Sequence, residues 1–333
     1  MSEFLECLDE GLKESPDSYD LNYARLRLIQ FQVGNRRPGW PLVEACERYF
    51  KTRCKQLPCF DELRAAAAHL SKDLQQRLIK FSQVEANSQL KSQDPSSIIT
   101  LLNALKLEYC LRVSEAASPS LAQRFAGRVI EVYVNLSKTQ DTPRTFTAQF
   151  AMLASMAVLK SGLAKDQDSE DERTAYLQSC FILHYSSLRP GVEYQTQVVL
   201  LRLFAFLGAL SMSSTLFHSL SIKNLQFESI GYLLLTRIST LHSANHRSDT
   251  DVTSPAQAID QAMSLNQKSF HTMQRRIMEG LEYKSYMNVL DAIKLRHDLE
   301  LSYSEQLSRV EKDRLNRLNG SFESWGEGLS MGE

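Results

Sequence analysis

The sequence has few of the signals that mark sheets, nucleotide sites or hydrolase sites. Only 13 of the 333 residues are glycine, and runs of alternating apolar and polar residues are short, which disfavours β-hairpins. A glycine-rich phosphate loop, a GxSxG motif and an HExxH motif are all absent. We therefore predict a helical protein without a recognisable catalytic, cofactor-binding or metal-binding motif.

Neither sign of charge is in excess, since 38 Lys and Arg residues stand against 39 Asp and Glu residues. Proteins that coat nucleic acid need many net positive charges to neutralise phosphates. We therefore expect no sequence-specific nucleic-acid partner.

The six cysteines include no CxxC pair, and no histidine pair lies beside them at zinc-finger spacing, so scattered reduced thiols are predicted.

Long apolar runs are also missing. The most apolar run, residues 198–210, contains Arg202 and is shorter than the roughly 20 residues that a membrane span needs. The first ten residues, "MSEFLECLDE", are acidic and resemble no signal peptide. A cytoplasmic protein without a membrane partner is the expectation.

Helix start signals are frequent. Asp94-Pro95, Ser118-Pro119 and Thr142-Pro143 each pair an N-cap residue with a proline suited to the first helical position. Their regular spacing predicts three successive helices of about 18 to 22 residues. Ser254-Pro255 predicts another helix start. Apolar residues in the segments after the first three pairs recur at i, i+3 and i+4, as on one helix face.

The same periodicity predicts further helices. These cover residues 21–33, 40–53, 60–70, 72–91, 170–187, 192–207, 209–220, 228–243, 255–264, 266–280 and 283–317. The last is expected to be one long charged helix with i, i+4 pairs Glu305–Arg309 and Asp313–Arg317. Segments 165–172 and 245–255 are predicted to be exposed loops.

Many helices with short connections indicate an all-α helical solenoid, or superhelix, of tetratricopeptide-like helix hairpins. We expect a first group of antiparallel helices over 1–164 and tetratricopeptide-like helices over 170–282. A long charged amphipathic helix over 283–318 and a frayed tail over 319–333 complete this division.

The histidines offer the few candidates for chemistry. His242 and His246 could share a helix face, but they lack a nearby third metal ligand in the sequence, so surface histidines are favoured. His184 and His218 lie in apolar helices, where a packed or hydrogen-bonded core residue is favoured over a catalytic base.

Three basic segments could meet a phosphate, RNA or an acidic partner. They are "GNRRPGW" at 34–40, Arg275-Arg276, and "KLRH" at 294–297. In each case a solvated surface is the favoured interpretation.

Two stretches resemble a known family, the non-catalytic auxiliary subunit of N-terminal acetyltransferase B (NatB). The first, "ERYFKTRCKQLPCFDELR" at 47–64, carries the likeness through Tyr49, Phe50, Lys51, Pro58, Cys59, Phe60 and Leu63. The second, at 200–237, contains a Leu-Gly helix pair, a connector and an "I-G-Y-L-L" helix. It carries the likeness through Leu220, Lys223, Gln226, Ile230, Gly231, Tyr232 and Leu233.

This resemblance implies a superhelix of tetratricopeptide-like repeats that wraps a small catalytic subunit and supports co-translational acetylation. The catalytic partner would bind acetyl-CoA and modify chains beginning Met-Asp, Met-Glu, Met-Asn or Met-Gln, and ribosome association is implied as well. This chain itself would be no enzyme. Family members are longer, so the chain is expected to correspond to the central portion of one.

Within the second stretch, packing is favoured over partner contact. Phe227, Ile230, Leu233 and Leu234 are expected to form a core face, with Gly231 allowing a close helix approach. The candidate partner-binding residues are Lys223, Gln226, Tyr232 and Arg237.

Two alternatives stay open at this level. The chain could be an unrelated helical-repeat adaptor that binds another protein through a groove. It could also be an α-helical enzyme whose site is built from scattered residues such as His184 and His218.

Overall fold

The computed structural model describes residues 2–33, 40–89, 94–138, 144–163, 169–188, 193–220, 224–236, 238–241, 254–318 and 320. These residues form helices joined by turns, with no strand among them, so the all-α prediction is confirmed. The chain divides into two compact units, unit 1 (Met1–Thr196) and unit 2 (Gln197–Glu333). Whether the predicted groups 1–164 and 170–282 behave as domains stays a prediction.

In unit 1 consecutive helices pack against one another in adjacent pairs, as in a helical-repeat solenoid. The helices are α1 (Ser2–Glu14), α2 (Tyr19–Val33), α3 (Trp40–Arg53), α4 (Cys59–Ala67), α5 (Lys72–Gln89), α6 (Pro95–Glu108), α7 (Pro119–Lys138), α8 (Arg144–Leu163) and α9 (Ser169–Ser187). A π-helical turn (Tyr109–Val113) extends α6.

The helix α10 (Tyr194–Phe206) begins in unit 1 and continues into unit 2. Unit 2 further contains α11 (Leu210–Ser219), α12 (Asn224–Leu235), α13 (Ile238–Leu241), α14 (Pro255–Glu282), α15 (Tyr286–Glu300) and α16 (Tyr303–Leu318). α14 packs against α12, α15 and α16.

Three of the four proline-marked helix starts are confirmed. Pro95, Pro119 and Pro255 are the first residues of α6, α7 and α14. The hydroxyl of Ser254 accepts a hydrogen bond from the Gln257 backbone N–H at 3.2 Å, and the Gln257 side chain accepts from the Ser254 N–H at 2.9 Å. This reciprocal pair is a capping box. Thr142 and Pro143 lie outside the described residues, directly before α8.

Several predicted boundaries differ from the structure. The predicted helices 255–264 and 266–280 are one helix, α14, and the described part of the predicted helix 228–243 is divided between α12 and α13. Of the predicted loop 165–172, residues 169–172 belong to α9, which begins at Ser169 and holds three acidic residues in its first turn. Residues 165–168 lie outside the described residues. Negative side chains stabilise that end of a helix through its dipole. Of the predicted loop 245–255, only Ser254 and Pro255 are described, and they begin α14.

The predicted long helix 283–317 is two helices, α15 and α16. The hydroxyl of Ser302 accepts a hydrogen bond from the Glu305 N–H at 3.0 Å, and this cap starts a new helix. The predicted ion pair between Glu305 and Arg309 is present at 2.6 Å.

The first stretch with family resemblance lies in the core of unit 1. Tyr49, Phe50, Cys59 and Leu63 are each at most 1% exposed and belong to one apolar cluster. The Asn103 side chain donates to the backbone carbonyls of Cys54 and Gln56 at 2.8 and 2.9 Å. The loop between α3 and α4 is thereby held against α6.

In unit 2 the core gathers residues of α11 to α14 and α16, including Leu234, Leu235 and Ile238. The carboxylate of the fully buried Glu311 accepts hydrogen bonds from the Ser239 backbone N–H at 2.9 Å and from its hydroxyl at 2.6 Å. Since an unpaired buried charge is costly, these bonds fix α13 against α16.

Part of the α8–α9 seam is lined by small residues. A Cβ added at Gly162 would clash with the Cβ of Ala175 and lie 3.3 Å from the Asp171 carbonyl oxygen. Further along, the Ser179 hydroxyl donates to the Ser155 carbonyl at 3.1 Å. The two helices run antiparallel and approach closely at this seam.

α8 also contains an apolar window, residues Phe146–Leu163, with a mean hydropathy of 1.2 and 56% of it buried. By length and composition this helix could cross a membrane. The core helix of a soluble protein passes the same test, so the window is a weak indication of a span.

We expect Gly162→Ala to destabilise unit 1 by about 1–2 kcal/mol. Overpacking of a tight seam costs about 1–3 kcal/mol, and the better helix propensity of alanine returns about 1 kcal/mol or less. Urea denaturation followed by circular dichroism measures the change.

Gly127→Ala is the matched control, because nothing lies within 4 Å of a Cβ added at this position of α7. This variant is expected to gain about 0.5–1 kcal/mol from helix propensity. Equal effects of the two substitutions would contradict a close approach at Gly162.

Candidate functional site

A groove with a volume of about 440 Å³ opens on unit 1. This volume lies within the range typical of ligand sites. Its walls come from the α3–α4 loop and the start of α4, from α6 and the π-helical turn, from α8, and from the start of α10. The lining residues are Leu57, Pro58, Phe60, Asp61, Lys106, Tyr109, Gln149, Met152, Leu153, Met156, Glu193 and Gln195.

One wall of the groove is apolar and adaptable. Met152 and Met156 stand one turn apart on α8, and Leu57 and Phe60 line the same groove from the α3–α4 loop and the start of α4. Methionine side chains are flexible and polarisable, and they are common at surfaces that bind polypeptides. Phe60 belongs to the first stretch with family resemblance, next to the fully buried Cys59.

The groove also contains a short chain of polar contacts. The Lys106 ammonium donates to Gln149 Oε1 at 2.8 Å, and Gln149 Nε2 donates to Glu193 Oε1 at 3.3 Å. The second carboxylate oxygen of Glu193 is buried and has no hydrogen-bond partner among the described residues. Lys106 and Glu193 therefore offer a donor and an acceptor near one another.

Burial lowers the pKa of Lys106, although the carboxylates of Asp61 and Glu193 act in the opposite direction. Desolvation of the ammonium outweighs both charges. Burial likewise raises the pKa of Tyr109, whose hydroxyl donates to the Met156 carbonyl at 3.3 Å. Tyr109 opens the π-helical turn, a feature that often occurs at functional positions.

This arrangement is suited to binding. None of the described lining residues is a serine, cysteine or histidine, so they provide no hydroxyl or thiol nucleophile paired with a histidine base. The described part of the chain also holds no group of three or more His, Cys, Asp or Glu side chains able to bind a metal. An apolar side chain could enter the groove while its backbone meets Lys106 and Glu193.

The predicted partner-binding residues belong to unit 2, and none of them is among the described lining residues of the groove. Lys223 and Arg237 lie outside the described residues, and Gln226 lies in α12 with its side chain outside them. Tyr232 is 44% exposed on α12. A role in partner contact for these four residues stays a prediction.

The predicted core face of α12 is present in part. Leu234 and Gly231 are buried, whereas Ile230 and Leu233 are only partly buried. Leu235, which the prediction omitted, is also buried. The side chain of Phe227 lies outside the described residues.

The two histidines predicted to be core residues, His184 and His218, lie in different units. His184 is half-buried in α9 of unit 1, as expected for a packed residue. His218 is exposed near the end of α11 in unit 2, so its placement in a core was wrong. Four-residue apolar spacing does not distinguish the inner face of a helix from the outer one. His242 and His246 lie outside the described residues.

The basic segments lie on exposed or half-exposed helix faces where described. Arg275 pairs with Glu279 at 3.6 Å, and Arg296 pairs with Glu300 at 3.4 Å, both at i, i+4 spacing. Of the segment 34–40, only Trp40 is described.

The sequence prediction missed the polar contacts of the groove. Lys106, Gln149 and Glu193 come from three separate helical segments, and each looks like an ordinary surface residue in its own segment. Only the packing of α6 against α8 and the position of the α10 start bring them together.

The lowered pKa of Lys106 leads to a pH-dependence prediction. The pKa of Lys106 is lower in the folded protein than in the unfolded chain. At a pH between these two pKa values the unfolded chain therefore binds more protons than the folded protein. The free energy of unfolding consequently increases as pH rises towards about 10.4, the pKa of a free lysine. Lys106→Met removes this contribution. As pH is raised from about 8 to about 10, we expect the free energy of unfolding of the variant to decrease relative to that of wild type. Urea denaturation at each pH measures this difference.

Lys80→Met on α5 is the control, because Lys80 is exposed. Its stability relative to wild type should stay constant over the same pH range. A constant difference for Lys106→Met would contradict the burial of the ammonium.

Comparison with known proteins gives the family. The family model described as "N-acetyltransferase B complex (NatB) non catalytic subunit" matches residues 5–329. The chain is also 28% identical over 126 residues to the N-terminal acetyltransferase B complex subunit MDM20 of Saccharomyces cerevisiae. That match covers 38% of this chain and only 15% of the yeast protein. Because the family model spans nearly the whole chain, this protein belongs to the family of NatB non-catalytic subunits.

Proposed function

We propose that this protein binds the catalytic subunit of NatB and holds it in a complex that acetylates protein N-termini. The family match over residues 5–329 carries the proposal. Because the family is the non-catalytic subunit, the role of the chain is auxiliary. A stack of helix pairs suits this role, since it presents long faces to a partner.

The groove on unit 1 supports a binding role. Its methionines and Phe60 can accommodate an apolar side chain, and its polar contacts leave one buried carboxylate oxygen without a partner among the described residues. Buried polar groups are costly when unpaired, so a donor from a bound polypeptide would satisfy this oxygen. Tyr232 and its predicted neighbours Lys223, Gln226 and Arg237 are proposed as further contacts.

The remaining features of the proposal follow from the family. The catalytic partner would bind acetyl-CoA and act on chains that begin Met-Asp, Met-Glu, Met-Asn or Met-Gln. The complex would work in the cytoplasm, near the ribosome, as chains emerge. The matched part of the chain covers only 15% of the length of the yeast relative, so these properties are proposed for the whole protein.

Affinity purification tests the proposal. The full-length gene product, tagged and purified from its own cells, is expected to retain an acetyltransferase subunit in a stoichiometric amount. The purified complex should transfer acetyl from acetyl-CoA to a Met-Asp peptide and leave a Ser-Ala peptide unmodified. The tagged protein alone should be inactive.

Recovery of a different stoichiometric partner would favour an unrelated helical-repeat adaptor. Acetylation or any other transfer by the protein alone would contradict a purely auxiliary role. Glu193→Leu and Lys106→Met in the groove are expected to reduce recovery of the catalytic subunit if the groove takes part in binding. Lys80→Met should not change recovery.

A further inference from the structure

The groove on unit 1 already holds one amide group between two opposite charges. The Lys106 ammonium donates to Gln149 Oε1 at 2.8 Å, and Gln149 Nε2 donates to Glu193 Oε1 at 3.3 Å. The side-chain amide of Gln149 therefore uses its oxygen as an acceptor and its nitrogen as a donor, as a peptide group does. The chemistry that fits between Lys106 and Glu193 is thus one acceptor and one donor of an uncharged amide.

Both charged partners of Gln149 keep further hydrogen-bonding capacity. An ammonium has three N–H donors, and Lys106 uses one of them on Gln149. Glu193 Oε2 is buried and has no hydrogen-bond partner among the described residues. Rotation of the carboxylate about its last torsion, which has a broad energy well, turns an oxygen towards a ligand. A second amide group, supplied by a ligand, finds a donor and an acceptor here.

The charges around the groove are balanced. Lys106 and Glu193 carry opposite signs, and Nε of Arg64 lies 3.9 Å from the carboxylate of the exposed Asp61. A Lys or Arg side chain of a partner would approach the ammonium of Lys106, and an Asp or Glu side chain would approach the carboxylate of Glu193. Like charges that meet at an interface are unfavourable. The groove therefore favours an uncharged group over a charged one.

The apolar wall of the groove adds a second requirement. Met156 and Leu57 are 41% and 38% exposed, and Met152 and Phe60, which line the same groove, are partly buried. An apolar side chain that enters among these four residues removes apolar surface of both partners from water. Because methionine adapts to side chains of different shape, the wall accepts Leu, Ile, Met or Phe.

The amide requirement restricts the backbone conformation of the ligand. Inside a helix the backbone N–H and C=O groups bond to one another, and only those of the first and last turns remain free. An extended or loop segment instead presents unpaired N–H and C=O groups next to its side chains. Such a segment offers the uncharged amide groups and the apolar side chain together.

We infer that the groove binds an extended segment of the acetyltransferase catalytic subunit through one apolar residue. Its side chain packs against Met152 and Met156, its backbone N–H donates to Glu193, and its C=O accepts from Lys106. The catalytic subunit is the source because the proposed role of this chain is to hold that subunit in one position. The inference rests on the proposed function and specifies which kind of segment the partner contributes.

The first test substitutes Met156→Glu in the full-length protein and measures its affinity for the purified catalytic subunit by titration calorimetry. A carboxylate in the apolar wall must lose its hydration when the partner binds. We expect Kd to rise by about tenfold or more. Circular dichroism melting should be unchanged, because the side chain of Met156 is partly exposed.

Val84→Glu on α5 is the matched control. Val84 is exposed, belongs to unit 1 and is not among the described lining residues of the groove. Its Kd should equal that of wild type. An unchanged Kd for Met156→Glu would overturn the groove as the docking site and leave the proposed function intact. Absence of binding by the wild-type protein would overturn both.

The second test locates the bound segment. A photoreactive benzoylphenylalanine at position 156 is expected to crosslink to an apolar residue in an extended or loop segment of the catalytic subunit. The same group at position 84 is expected to give no crosslink to that subunit. A crosslink from position 156 to the interior of a helix of the catalytic subunit, to another part of this chain or to a second copy of it would overturn the inference.

The third test isolates the backbone contact. In the catalytic subunit the crosslinked residue is replaced by alanine and, separately, by proline, which has no backbone N–H. The proline variant is expected to bind the wild-type protein about tenfold more weakly than the alanine variant. The two variants should bind Glu193→Leu equally, because the acceptor is absent.

A proline effect of the same size with Glu193→Leu would overturn the pairing of the backbone N–H with Glu193. Circular dichroism of the proline variant checks that the catalytic subunit stays folded. Where it does not, N-methylation of the same residue in a synthetic peptide of the crosslinked segment removes the N–H and gives the same comparison.

Discussion

The close approach of α8 and α9 determines which surfaces unit 1 can offer. Gly162, Ala175, Ser155 and Ser179 bring the two backbones together, and the fully buried Leu183 continues the inner face of α9 one turn further along. Leu177, Phe181 and Tyr185 lie on the other side of α9 and are exposed. α8 uses another of its faces to line the groove with Met152 and Met156. The packing of α8 thus relates the core of unit 1 to its candidate binding groove.

The groove is concave and combines apolar side chains with Lys106, Gln149 and Glu193, so it favours one specific group with hydrogen-bonding capacity. Burial of apolar surface would provide affinity there, whereas the polar contacts would provide orientation. The proposed scaffold role, in which an enzyme is held in one position, requires both properties.

The sequence predicted the helices well because its signals are local. Proline after a cap residue specifies a helix start within one turn, as at Pro95, Pro119 and Pro255. The break at Ser302 was missed because one serine cap is a small signal within a charged periodic segment. The groove could not be predicted, because Lys106, Gln149 and Glu193 come from separate segments of the sequence. The exposure of Leu177, Phe181 and Tyr185 could not be predicted either, since their i, i+4 spacing fits a core face equally well. Which face is inward depends on the neighbouring helix, and Gly162 lies in a different helix from the residues it affects.

Hydrogen exchange measured by mass spectrometry, on the full-length protein with and without the NatB catalytic subunit, tests most directly whether unit 1 is a binding scaffold. We expect the catalytic subunit to slow amide exchange in peptides covering the groove helices α6 and α8, while peptides covering α5 exchange at the same rate in both samples. Slower exchange in a groove helix indicates that a partner suppresses its local opening. Identical exchange across the groove helices in a sample where the complex has formed would contradict a binding role for the groove of unit 1.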